Sequence, residues 1–400
     1  MYKKLLSLLL IAVMLLSGGC DLPSLLEGGN SATVQKVDEN KYKSDYANNR
    51  QYCHLDKDSQ QRYGSLYTAL TDGFATDEQV IIGSTTVSGI RIPLAVPMTD
   101  QKQAELLYTA FFRDNPQFFY VGGAYELEGY MKDDTPCYDT LVLMYTMDAA
   151  ARQAAQRELE SAVQNIFSRI PNTKDEYEIE LFLHDQIALG CTYSDQAAAA
   201  GFDAFPNAFN AYGALVEGQA VCEGYSRALQ LLLKRQGISC ALVTGISLEN
   251  NEQHMWNLVR INGQDYYVDP TWNDSDDLLC HTFFNITSRQ LALTHALSDE
   301  QTNIDCTATA DNYFIRQKAY IDVYDRDAIA RAIAVGFTNG QSTIELRFAP
   351  DKYDNGLLFL KNQRMTQSMT AKYIASGEPL WNYELMTDAA CYMIALVKKQ

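Results

Sequence analysis

Asn262-Gly263 separates two runs rich in β-branched and aromatic residues, 254–261 and 264–269. Asn-Gly is the strongest short signal for a two-residue type I′ hairpin, and a two-residue turn fixes the register of everything that follows. The pairing predicted here sets Asp269 opposite Trp256 and His254 opposite Thr271. Side chains alternate along a strand, so His254, Trp256 and Asp269 share one face of the ribbon. Asp269 is then the diagonal neighbour of His254, ~7–8 Å away between backbones and closer at the side-chain tips. Pro270 cannot donate to a ladder, so the ribbon is expected to end there, with Asp269 at its rim near open space. A carboxylate beside an imidazole N–H holds one tautomer and lets the ring act as a base.

The preceding stretch supplies a nucleophile. Leu229, Leu232 and Leu233 are spaced for one buried helical face, Gly237 is a natural stop, and Lys234 and Arg235 fall in the last turn. The helix is therefore predicted to begin near 220–222, just after Gly218. A Cys at that end meets unsatisfied N–H groups and the positive end of the dipole, which favour the thiolate. The alternative is a buried structural Cys, where most unpaired Cys reside. The His–Asp pair favours the nucleophile. Cys222, His254 and Asp269 then form a nucleophile–base–orienter set that attacks an amide or ester carbonyl. The Cys222 backbone N–H is one oxyanion donor, and Gln219, Trp256 and Trp272 are open candidates for a second.

The order Cys222…His254…Asp269, set in G-x-x-V-C-E-G-Y-S, H-x-W-N-x-V and V-D-P-T-W, resembles the transglutaminase-like superfamily. The resemblance covers roughly 175–300. It implies an α+β, papain-like core at 173–310, with the Cys on a helix packed on an antiparallel sheet that carries the His and Asp. Two smaller α+β domains, 46–172 and 311–400, would flank it. The family includes amide-forming cross-linkers, amide-cleaving peptidases and inactive scaffolds, so the resemblance fixes acyl-thioester chemistry better than substrate. A peptide or protein substrate, possible cell-wall association and no cofactor are what it implies. Calcium-dependent relatives exist, but Asp274-Ser-Asp276-Asp277 lacks the Gly of an EF-hand turn and reads as a solvated loop.

The N-terminus reads as an export signal. Lys3 and Lys4 precede an apolar run, 5–16, too short for a bilayer-spanning helix of ~20 residues. Ser17-Gly18-Gly19-Cys20 is similar to the lipobox of bacterial lipoproteins, although Ser17 stands where that pattern prefers Leu. Cys20 is accordingly the expected lipidation site, with 1–19 removed and 20–45 serving as a tether. The expected location is the outer face of the bacterial cytoplasmic membrane, or secretion. Net charge is −18, and removal of 1–19 takes it to −20, since that segment holds two Lys and no acid. Such acidity excludes nucleic acid and a polybasic grip on anionic lipid. Nine Cys and no CxxC pair demand neither a disulfide framework nor zinc.

Elsewhere, strands are predicted at 80–82, 89–94, 118–121 and 141–146, and helices at 100–113, 148–169 and 175–189. A loop is predicted at 195–210. The C-terminal part reads as helix near 326–334, strand 342–348, helix near 351–361 and strand 391–397. His184 is expected to be structural or on the surface. His281, His295 and Cys280 could approach a metal but show no ligand spacing.

Overall fold

The computed structural model describes residues 41–275, 278–298, 303–376 and 378–399. The expected signal segment, Cys20 and most of the tether lie outside the described residues. Among the described residues, no helix is long and apolar enough to cross a membrane. The chain divides into two compact units, Met1–Ile170 with Gly190–Arg235, and Pro171–Leu189 with Gln236–Gln400.

In chain order the elements used below are α1 (Lys57–Asp72), β1 (Glu78–Ile82), β2 (Thr85–Met98), α2 (Gln101–Asp114), β3 (Val121–Lys132), β4 (Thr135–Tyr145) and α3 (Ala149–Phe167). Then come α4 (Glu176–Gly190), β5 (Thr192–Tyr193), β6 (Gln219–Ala220), α5 (Cys222–Arg235), β7 (Ser239–Ser247), β8 (Gln253–Ile261), β9 (Gln264–Val268) and β10 (His295–Leu297). The C-terminal elements are β11 (Tyr320–Ile321), α6 (Arg326–Thr338), β12 (Thr343–Phe348), α7 (Tyr353–Lys361), α8 (Gln363–Thr370), β13 (Tyr383–Asp388) and β14 (Met393–Lys398). The architecture is α+β, as the sequence implied.

The first unit holds an antiparallel sheet of order β1-β2-β4-β3. Asp100 and Asp148 cap α2 and α3 by accepting from the N–H groups of Lys102 and Ala151. The core-facing side chains are Ala104, Leu107 and Phe111 of α2, and Ala155, Leu159, Val163 and Ile166 of α3, with Tyr108 and Ala162 half-buried beside them. Arg152 of α3 is fully buried, yet its guanidinium is satisfied by Asp77 at 2.8 Å and by the carbonyls of Phe74, Thr76 and Met147. Two expectations fail here. Residues 118–120 are turn rather than strand, because the chain reverses between α2 and β3 with Phe118 N–H on Asn115 O and Val121 N–H on Phe118 O. The 195–210 segment is a helix, Asp195–Ala200, capped by Ser194, followed by the 3-10 turn Pro206–Phe209.

The second unit holds two four-stranded sheets, of order β10-β7-β8-β9 and β11-β12-β14-β13, besides a short ribbon of Asp274–Ser275 with Leu278–Leu279. The first is antiparallel throughout. Its β8–β9 register runs from Ile261↔Gln264 to Asn257↔Val268, which is the predicted one. Asn262 and Gly263 both have positive φ, +50° and +79°, the signature of the I′ turn. The ladder stops at Val268, one residue earlier than expected, so Thr271 does not pair with His254. Pro270 starts a helical turn, Pro270–Asn273, that Asp269 caps. Nor is Asp269 near open space: it is 1 % exposed. The segment after the turn folds back over it, with Asp269 N–H on Phe283 O and Tyr267 bridged to Ile286.

Candidate active site

Cys222 is the first residue of α5 and is buried. Two contacts of the first unit set where α5 lies. Arg227, Gln230 and Lys234, one face of the helix, donate to the last carbonyls of α2 at Phe112, Arg113 and Asp114. Those carbonyls carry the negative end of the α2 dipole, so cationic donors suit them. At the other end, Gly224 lets the backbone of 208–210 approach: a Cβ there would sit 2.5 Å from Ala208 O and 3.1 Å from Asn210 O. The Gly of the C-E-G-Y-S motif is thus a packing requirement. Leu229, Leu232 and Leu233 are fully buried, as their spacing predicted, and Gly237 has φ +78°.

The second unit builds the other half of the predicted set from one face of the β10-β7-β8-β9 sheet. His254 Nε2 lies 2.6 Å from Asp269 Oδ2. His295 Nε2 lies 3.2 Å from the same oxygen. The other carboxylate oxygen accepts from the backbone N–H groups of Thr271, at 2.9 Å, and Trp272, at 3.1 Å. Burial pushes the Asp269 carboxyl up, but the His254 and His295 imidazoles outweigh it and hold the group well below the usual carboxylate range. Burial lowers His295, so its ring is neutral near pH 7. The rings of Trp256 and Trp272 lie 5.8 and 5.6 Å from that of His254. Trp256 and Tyr267 continue the same face into an apolar cluster with Val243, Leu258 and Phe283. Gly245, opposite His254 on β7, leaves room for the Trp256 indole; a Cβ there would be 2.5 Å from the ring and 2.1 Å from Ala296 O.

A second polar network supports the turn from behind. Asn273, the last residue of the turn, accepts from Phe283 N–H and donates to His184 Nε2 at 3.0 Å. His184 is therefore protonated on Nδ1, which donates to Asp185 at 2.9 Å. His281 donates Nε2–H to Asp185 and Nδ1–H to Glu345, at 3.1 and 2.7 Å. His184 is structural, as one of its two expected readings had it, and fully buried. Two groups, His184–Asp185–His281 and His254–Asp269–His295, bring their donor atoms within 4.8 Å of one another, close enough to surround a cation. Within each, however, the nitrogen–oxygen separations quoted above are those of hydrogen bonds, which protons satisfy.

The His281 network carries a pH signature. Burial disfavours the imidazolium, but Glu345 and Asp185 overcome it and lift His281 to about 9. Asp185, driven up by burial and pulled down more strongly by His184 and His281, falls to about 2; part of that is the same ion pair seen from the other side. A raised His stabilises the fold fully below its unfolded value of ~6.5 and loses that contribution as pH rises through about 9. Unfolding free energy in urea is expected to drop by roughly 3 kcal/mol between pH 6 and pH 9.5, and His281→Gln is expected to flatten that slope. A wild-type slope shared by the variant would contradict the assignment.

None of the eight described cysteines is in a disulfide. The sequence reading missed the role of His295 as a third group on Asp269. It stands 26 residues beyond Asp269 and arrives through β10 pairing on the far edge of β7. No local pattern signals that.

Compared with known protein families, residues 164–270 match the one described as the transglutaminase-like superfamily. This segment is transglutaminase-like. The transglutaminase-like segment contains Cys222, His254 and Asp269. No curated protein matches the chain. Among solved structures, a crystal structure of a TGase is similar at TM-score 0.28 and 13 % identity, over 47 % of this chain and 52 % of that one. A candidate protease from Parabacteroides distasonis gives TM-score 0.23 and 13 % identity, over 35 % and 30 %. A candidate cysteine protease from Cytophaga hutchinsonii gives TM-score 0.23 and 13 % identity, over 38 % and 63 %. The chain thus spans less than two thirds of each of these neighbours.

Proposed function

We propose that the protein is an exported, lipid-anchored thiol enzyme that attacks peptide or protein amides through Cys222, with His254 as base and Asp269 as its orienter. The observation that carries this reading is the 2.6 Å bond from His254 Nε2 to a buried, ionised Asp269. It commits Nε2 as a donor, so Nδ1 is the nitrogen that takes and returns the thiol proton. The Cys222 thiolate adds to the carbonyl carbon, and the amine leaves with the proton from His254 Nδ1. The resulting thioester is then resolved by water or by a second amine. The Cys222 N–H, at the first position of its helix, has no intrahelical acceptor and suits the developing oxyanion. Hydrolysis is favoured over amine transfer, because water is abundant outside the cell.

The test compares wild type with Cys222→Ala on a denatured protein substrate. Newly released amino termini and incorporation of a fluorescent primary amine are measured side by side. New termini with wild type and none with the variant are expected. Amine incorporation without cleavage would replace hydrolysis with transfer. Neither product from wild type would leave a non-catalytic surface protein that keeps the fold.

A further inference from the structure

Asp269 receives two imidazoles on one oxygen, and only one of them belongs to the proposed triad. The second, His295, is held with unusual completeness. It is 2 % exposed and sits on β10, directly paired with Ser247 of β7. Its Nδ1 lies 2.8 Å from Thr294 Oγ1, whose O–H has only a long alternative at Leu291 O, 3.5 Å away. The hydroxyl therefore donates to Nδ1, which places the ring proton on Nε2, facing Asp269. Trp272 and Trp256 fix the ring plane, with centroids 4.4 and 4.9 Å away. Tautomer, orientation and position are all specified, more than packing a ring in a core demands.

We propose that His295 is a positioning residue: its Nε2–H occupies part of the Asp269 Oδ2 atom, locks the carboxylate toward His254 and takes up a share of its charge. Two donors on one oxygen weaken each other's claim on it. Without His295 the whole of that oxygen's basicity falls on His254, whose imidazolium is then stabilised further. His295 thus sets both the aim of Asp269 and the basicity of His254. Ionisable groups near this carboxylate on the surrounding elements include His184 and Asp185 of α4, and Cys280 and His281 of the segment that folds back over the turn. Cys240, the ionisable group of β7, lies on the opposite face of the sheet. None of these is altered by substitutions at 295. The catalytic consequence rests on the triad proposed above; the effect on His254 does not.

The test uses the full chain with His295→Met and His295→Gln, near-isosteres that differ in having an N–H to donate. Imidazole resonances, assigned by single substitution, report the titration of His254 in a Cys222→Ala background. His295→Met is expected to raise the His254 midpoint by at least about half a pH unit, and His295→Gln to recover most of that shift. Thr294→Val, which releases Nδ1, is expected to move His254 the same way by less, and it serves if the Met variant does not fold. In the Cys222 enzyme, His295→Met is expected to lower kcat roughly tenfold to 100-fold with KM within twofold, restored in part by Gln. Equal His254 midpoints in wild type and in folded Met or Val variants would overturn the proposal. A shifted midpoint in a protein with no turnover would instead keep His295 in its place and overturn the enzyme reading.

Discussion

Asp269→Asn will cost this protein both stability and turnover. The carboxylate accepts four hydrogen bonds, two from backbone N–H groups on Oδ1 and two from imidazoles on Oδ2. An amide keeps the first pair. Its NH₂ then confronts two N–H donors in a site only 1 % exposed. Such a buried mismatch costs about 3 kcal/mol or more, measurable as a fall in the urea midpoint. Turnover on the proposed substrate should fall by roughly 10⁴-fold, the order seen when a triad loses the acid that fixes its tautomer. The pH dependence has a definite sign. A depressed carboxyl stabilises the fold above its ordinary value of ~3.9 and surrenders that contribution as pH falls toward its lower folded value. Wild type should therefore lose stability steeply below pH 4, and Asp269→Asn should lack that part of the slope. An Asn variant as stable and as active as wild type would remove Asp269 from the account.

His254→Ala will separate the two effects. The ring is 9 % exposed at the end of the apolar cluster, and without it Asp269 keeps two backbone donors and His295. The stability loss should stay near ~1–2 kcal/mol, the scale of one charge-assisted hydrogen bond. Turnover should fall by roughly 10⁴-fold or more, because no other base is proposed for the thiol. Activity within tenfold of wild type would show that proton transfer runs elsewhere.

What was legible in the sequence was local. Asn262-Gly263 carried the β8–β9 register, and with it the common face of His254, Trp256 and Asp269. The leucine spacing and Gly237 framed the Cys222 helix. The β3–β4 ribbon was harder to read. Its turn, Asp133-Asp134, takes positive φ at both residues without a Gly, and the outer part of β3 is exposed on both faces, so no alternation marks it. His295 was invisible as a partner of Asp269 because three strands and Gly245 bring it there, a non-local arrangement that no motif spacing encodes. The capping role of Asp269 was also missed: Asp-Pro before Thr-Trp is a helix start in miniature, read only as the end of a strand.

The central claim is that the Cys222 sulfur is a thiolate made reactive by His254. Site-resolved iodoacetamide alkylation, followed by peptide mass spectrometry from pH 5 to 10, tests it without knowledge of any substrate. The account predicts that Cys222 alkylates faster than a free thiol at neutral pH, and that His254→Ala removes that advantage. Alkylation of Cys222 no faster than a free thiol at neutral pH, unchanged in His254→Ala, would contradict it.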